Sequence, residues 1–155
     1  MRLSTIIASV LGIGYFPVAS GTMMSIVATV LATILAQHGG GLTLAAASLL
    51  AFVIGIWACG DHVRATGRDD PSECVIDELA GQWLACAGIC FTPIYPSVAA
   101  FALAFLLFRL FDILKPWPIS AAEKLPGGMG VMADDMLAGL AAGIIAGAVH
   151  YFRVI

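Results

Sequence analysis

Fifteen of the chain's seventeen Asp, Glu, Lys and Arg side chains fall in two windows, 61–82 and 109–135; only Arg2 and Arg153 lie outside. Apolar segments at 23–37, 42–60, 76–94, 97–114 and 131–151 dominate the rest. A bilayer span takes about 20 residues, so the chain has room for about five. A sixth, weaker stretch at 3–20 is broken by Gly12, Gly14 and Pro17. Hydrophobic residues make up 61% of the 155 and charged residues 11%, against about 25% charged in a soluble domain. That excludes disorder, a coiled coil and an ordinary cytosolic enzyme. It also argues against a nucleic-acid partner, which needs clustered Lys and Arg. The predicted fold is all-α: a polytopic membrane helical bundle of about five spans plus an N-terminal membrane-associated segment. Residues 1–155 read as a single membrane-embedded domain.

Threading five spans alternates the sides of successive connections. The connections 37–42 and 92–97 carry no formal charge. The N-terminal segment and the loops 61–75 and 115–130 share the other face, with every basic residue except Arg153. The positive-inside rule makes that face cytoplasmic. The opening MRLSTIIASVLGIGYF has the charge and apolar stretch of a signal peptide, but it runs on toward another apolar segment and is read as part of the bundle. Abundant Gly, Ala, Ser and Thr suit close helix packing in lipid. Cys59, Cys86 and Cys90 lie in apolar runs, Cys74 stands apart, and no CxxC pair exists, so the cysteines read as small buried hydrophobes.

Four constellations gather on the charged face. Asp77 and Glu78 open an apolar helix, with Gly81 and Ala85 following on one face. Acidic residues complement any helix N-terminus, but two carboxylates at a membrane helix entrance point to function. Arg109, Asp112 and Lys115 form an i, i+3, i+6 stripe ended by Pro116 and Pro118. This is either a snorkelling helix end or a phosphate site. Gly127, Gly128 and Gly130 precede Asp134 and Asp135. The glycine backbone could cradle a phosphate or be a plain loop. Asp135, Gly139, Gly143 and Gly147 recur every four residues and turn Asp135 toward the bundle interior. Thr22 and Ser25, in a segment beginning at Pro17, could cap the first span or, for Thr22, touch phosphate.

Asp77, Glu78, Asp112, Asp134 and Asp135 converging on one spot would repel unless a cation joined them. Oxygen donors without His or Cys select Mg²⁺, with Asp77, Glu78, Asp134 and Asp135 as ligands. Arg109, Lys115, Gly127, Gly128 and Thr22 would then hold a phosphate. His62 reads as a solvated loop residue, and His38 and His150 fall on the far side. A small ion transporter or channel is the alternative, since membrane carboxylates also mark ion pathways. A transporter places its charges near the midplane, whereas these lie at helix ends.

The motifs DExxG at 77–81, FRxFDxxKPxPI at 108–119 and GGxGxMxDDxxAG at 127–139 resemble those of the phosphatidylglycerophosphatase A family. The SGT-MMS segment at 20–25 is similar to its PGTxGS element, with Ser20 and Met24 replacing the usual proline and glycine. The resemblance covers nearly the whole chain. It implies Mg²⁺-dependent removal of the terminal phosphate of the phospholipid phosphatidylglycerophosphate, giving phosphatidylglycerol, at the cytoplasmic face of the bacterial inner membrane.

Overall fold

A computed structural model describes residues 2–153. Among them there is no strand, and six helices follow in order: α1 (Leu3–Ala8), α2 (Ser20–Thr66), α3 (Ile76–Cys90), α4 (Val98–Leu114), α5 (Ile119–Ala122) and α6 (Gly128–Tyr151). Two of these, α2 and α6, are long and apolar enough to cross a membrane. At 15 and 17 residues, α3 and α4 are shorter than the usual span of about 20.

The 47 residues of α2 are two helical arms joined at Gly39 and Gly40. Gly40 has φ 59° and ψ −142°, a backbone conformation that only glycine adopts without strain. The chain reverses there. Trp83 Nε1 donates to Ala28 O in the first arm, and Ser48 Oγ in the second arm donates to Ala80 O. In a straight helix Ala28 and Ser48 would be about 30 Å apart, yet their partners are neighbours on α3. The uncharged connection at 37–42 is therefore this hairpin turn.

Helices α3 and α6 pack in parallel along a seam of small residues. A Cβ at Gly81 would overlap the Asp135 carbonyl and the Phe108 ring, and one at Gly139 the Gly81 carbonyl. Further along, Gly88 meets the Gly143 backbone and Gly147 that of Gly88. Without side chains between them the backbones approach closely, which is how helices associate in lipid. The seam brings the N-terminal turns of two helices, distant in sequence, to the same level. Helix α4 covers it with Ala104 and Phe108, both fully buried among Ala85, Cys86 and Ala138.

Large apolar side chains cover much of the surface, while several acids are buried. Val53, Leu106 and Ile144 are each more than half exposed, whereas Asp77, Asp134 and Asp135 are buried. The four cysteines are unpaired.

Three sequence expectations need correction. The second arm of α2 runs on to Thr66, so the loop begins at Gly67 rather than at 61. His62 is consequently a buried helix residue, not a solvated one. Thr22 and Ser25 do not cap α2: its N-cap is Ala19, and Ser25 Oγ donates to Gly21 O one turn back. The stretch 3–20 is a short helix, a turn through Gly12 and a 3-10 turn at Ile13–Tyr15. It packs Ile7, Ala8 and Ile13 against the buried Cys74 and Val75.

Candidate active site

The acids gather where α3, α4 and α6 meet the start of α2. On α3 they sit in the first turn, two and three residues after the N-cap Val75. That residue's N–H donates to Ala8 O at 2.9 Å, so the N-terminal segment pins the beginning of the helix. On α6 they sit one turn before Gly139, on the face that the glycine seam presses against α3. Carboxylate oxygens of Asp77, Glu78 and Asp135 come within 4.8 Å of one another.

Asp77 Oδ1, Glu78 Oε2 and Asp135 Oδ2 are all buried with no hydrogen-bond partner. Buried acceptors are nearly always satisfied, and an unpaired buried carboxylate is costly. Three orphaned oxygens converging from two helices, with no nitrogen or sulfur donor among them, fit a hard divalent cation such as Mg²⁺.

Asp134 turns away from this trio. Its Oδ2 accepts from Lys115 Nζ at 2.8 Å, and its Oδ1 from the Asp135 N–H at 3.0 Å. Lys115 also donates to Glu123 Oε1 at 2.7 Å. Partial burial disfavours the ammonium, but Asp134 and Glu123 outweigh it and hold its pKa above the ordinary lysine value. Lys115 therefore stays cationic throughout the neutral range.

Arg109 Nη1 is ion-paired with Asp112 Oδ2. Asp112 is in turn a charged neighbour of both Glu78 and Asp135. The start of α2 completes the wall. A Cβ on Gly21 would collide with Glu78 Oε1 and lie 3.5 Å from Arg109 Nη1, so a side chain there would push the end of Glu78 out of its present position. Thr22, adjacent to it, is half-buried.

The glycine-rich element divides. Gly127, the N-cap of α6 with φ 61°, lines a cavity of about 410 Å³ whose charged side chains are mostly acidic: Asp69, Asp70, Glu123 and Asp134 against Lys124. Gly128 is buried in the first turn of α6, where a Cβ would strike the Ile56 carbonyl and the Gly60 nitrogen. It acts as a packing glycine against α2.

Two features escaped the sequence reading. One is a polar chain: Thr5 Oγ1 lies 3.1 Å from His62 Nδ1, His62 Nε2 lies 3.0 Å from Glu73 Oε1, and Arg68 pairs with Glu73. Burial works against the Glu73 carboxylate, but His62 and Arg68 outweigh it and hold its pKa below the ordinary value. The signal was there in spacing, since His62 continues the buried face of Gly55, Ala58 and Cys59. The other is Gln82, fully buried one turn after Glu78, with Oε1 unpartnered and Nε2 3.4 Å from Cys86 Sγ.

Residues 6–150 match the family described as Phosphatidylglycerophosphatase A. A Haemophilus influenzae protein named phosphatidylglycerophosphatase A is 36% identical over 92% of this chain and 86% of its own. One of that name from Escherichia coli is 34% identical over 86% of this chain and 76% of its own. A Bacteroides thetaiotaomicron protein with the provisional name phosphatidylinositol-3-phosphatase is 35% identical over 89% and 87%. No solved structure matches.

Proposed function

The chain belongs to the phosphatidylglycerophosphatase A family, and from that premise we propose that it hydrolyses the terminal phosphomonoester of phosphatidylglycerophosphate to leave phosphatidylglycerol, using Mg²⁺. The observation that carries the reading is the trio of orphaned carboxylate oxygens on Asp77, Glu78 and Asp135. These three residues would hold the ion, which when bound screens the carboxylates and draws negative charge off the phosphoryl oxygens.

The chain's own residues supply the rest. A phosphomonoester carries nearly two negative charges at neutral pH. Arg109 and Lys115, fixed at the end of α4 by Asp112 and Asp134, are the cations placed to receive it. Hydrolysis breaks the ester P–O bond: water gives its oxygen to phosphorus, and a proton returns to the departing glycerol oxygen. Asp112, outside the orphaned trio but beside Glu78 and Asp135, is the carboxylate placed to carry that proton.

We place the protein as a multi-pass protein of the bacterial inner membrane, with five spans comprising the two arms of α2 and helices α3, α4 and α6. Its site would face the cytoplasm. The exposed apolar side chains and the end-on position of every acid support that arrangement over an ion pathway through the midplane.

Phosphate release from phosphatidylglycerophosphate, phosphatidic acid and phosphatidylinositol 3-phosphate, with Mg²⁺ and with EDTA, tests the reading. Preferred release from the first, abolished by EDTA, is expected. Turnover unaffected by EDTA would remove the ion from the account, and preference for the inositol lipid would reassign the substrate.

A further inference from the structure

We propose that the apolar groove between the first arm of α2 and α4 seats one acyl chain of the lipid whose phosphate reaches the acid cluster. This rests on the lipid phosphatase reading above. The groove encloses about 310 Å³ and is lined by Ile26, Thr29 and Thr33 from α2 and by Val98, Ala102 and Phe105 from α4, among others. Its two threonines do not make it polar. Thr29 Oγ1 donates to Ser25 O and Thr33 Oγ1 to Val30 O, each at 2.7 Å. Both hydroxyls are satisfied within their own helix, so neither calls for a polar partner in the groove.

The two walls lead to the same place. Gly21 at the head of α2 faces Arg109 near the end of α4. Ile26 lies about 7.5 Å of helix rise beyond Gly21, and Phe105 about 6 Å before Arg109. The groove therefore opens one to two turns below Arg109 and Glu78 and runs away from them between antiparallel helices. An anionic head beside a fixed cation, with an apolar tail starting a few ångströms away, is the shape of a phospholipid. A second apolar groove of about 300 Å³ lies between α3 and α6, lined by Leu84, Phe91 and Ile144 among others. Neither of its walls carries a Lys or Arg, so the first groove is the one matched to an anionic lipid.

The test compares dioleoyl with dihexanoyl phosphatidylglycerophosphate in mixed micelles, for the unmutated protein and for Thr29→Trp, Ala102→Trp and Ile144→Trp. Ala102 and Ile144 are exposed and Thr29 is half-buried, so the added rings meet lipid or detergent rather than the core. Thr29→Trp and Ala102→Trp are expected to lower kcat/KM for the dioleoyl lipid by about tenfold or more, as loss of burial for two or so methylenes predicts. They should change kcat/KM for the dihexanoyl lipid by less than about twofold, and Ile144→Trp should change neither. Equal losses on both lipids, no loss on either, or a chain-selective loss confined to Ile144→Trp would overturn the groove assignment. Failure of the unmutated protein to release phosphate from either lipid would instead sink the phosphatase reading.

Discussion

Lys115 Nζ lies 2.8 Å from Asp134 Oδ2, so the residue that ends α4 ties that helix to the second turn of α6. The bond separates the adjacent Asp134 and Asp135 into two roles: one anchors a cation, and the other joins the carboxylate trio. Replacing Lys115 with Ala removes a cation proposed to receive the phosphate and takes the partner from Asp134 Oδ2. A fall in kcat/KM of about 10- to 100-fold is expected in a phosphate-release assay. Unchanged kcat/KM would make Lys115 a helix anchor only.

A side chain at Gly21 is expected to displace Glu78 without unfolding the protein. A Cβ there meets the Glu78 carboxylate, and the end of that side chain can swing aside without disturbing the fold. Gly21→Ala should therefore leave the thermal unfolding midpoint nearly unchanged while activity drops by about tenfold or more, since misplacement near 1 Å carries losses of that order. Matched losses of stability and activity would show that Gly21 is a packing residue like Gly139.

Glu73 gives the fold a pH dependence with a definite sign. Its carboxyl sits below the ordinary value of 4.5, so its bonds to His62 and Arg68 contribute in full above pH 4.5. That contribution is lost as the pH falls through the lower folded-state value. The melting midpoint of the unmutated protein should fall relative to that of Glu73→Gln as the pH drops below 4.5, so that the gap between the two profiles closes. Parallel profiles would contradict the assignment.

Single cysteines at Asp70 and Pro126 are expected to label from the same side of sealed vesicles, and cysteines at His38 and Tyr95 from the other. Labelling of Asp70 and Pro126 positions from opposite sides would rule out the five-span threading.

The site was legible where lipid and packing leave a spacing. Asp135, Gly139, Gly143 and Gly147 repeat every fourth residue, and Asp77 stands one turn before Gly81. These small residues are where α3 and α6 touch. The end of α2 was obscured because charge at Asp61 looks like the end of an apolar run. The helix continues regardless, since Ser4 and Arg64 partner that carboxylate. Gly128 was ambiguous for a different reason. A phosphate cradle and a close helix crossing both demand a missing side chain, and only the position of Ile56 and Gly60 decides for the crossing. The polar chain from Thr5 to Glu73 joins residues 57 and 11 positions apart, a pairing that no local pattern announces.

Asp77, Glu78 and Asp135 are proposed to act together as the carboxylate centre of a Mg²⁺-dependent lipid phosphatase. Asp135→Asn keeps the side chain's shape and removes its charge, so phosphate release from phosphatidylglycerophosphate at saturating Mg²⁺ tests it most directly. A loss of about 10²-fold or more is expected, with the folded helical content retained. Release at the unmutated rate, still dependent on Mg²⁺, would contradict it.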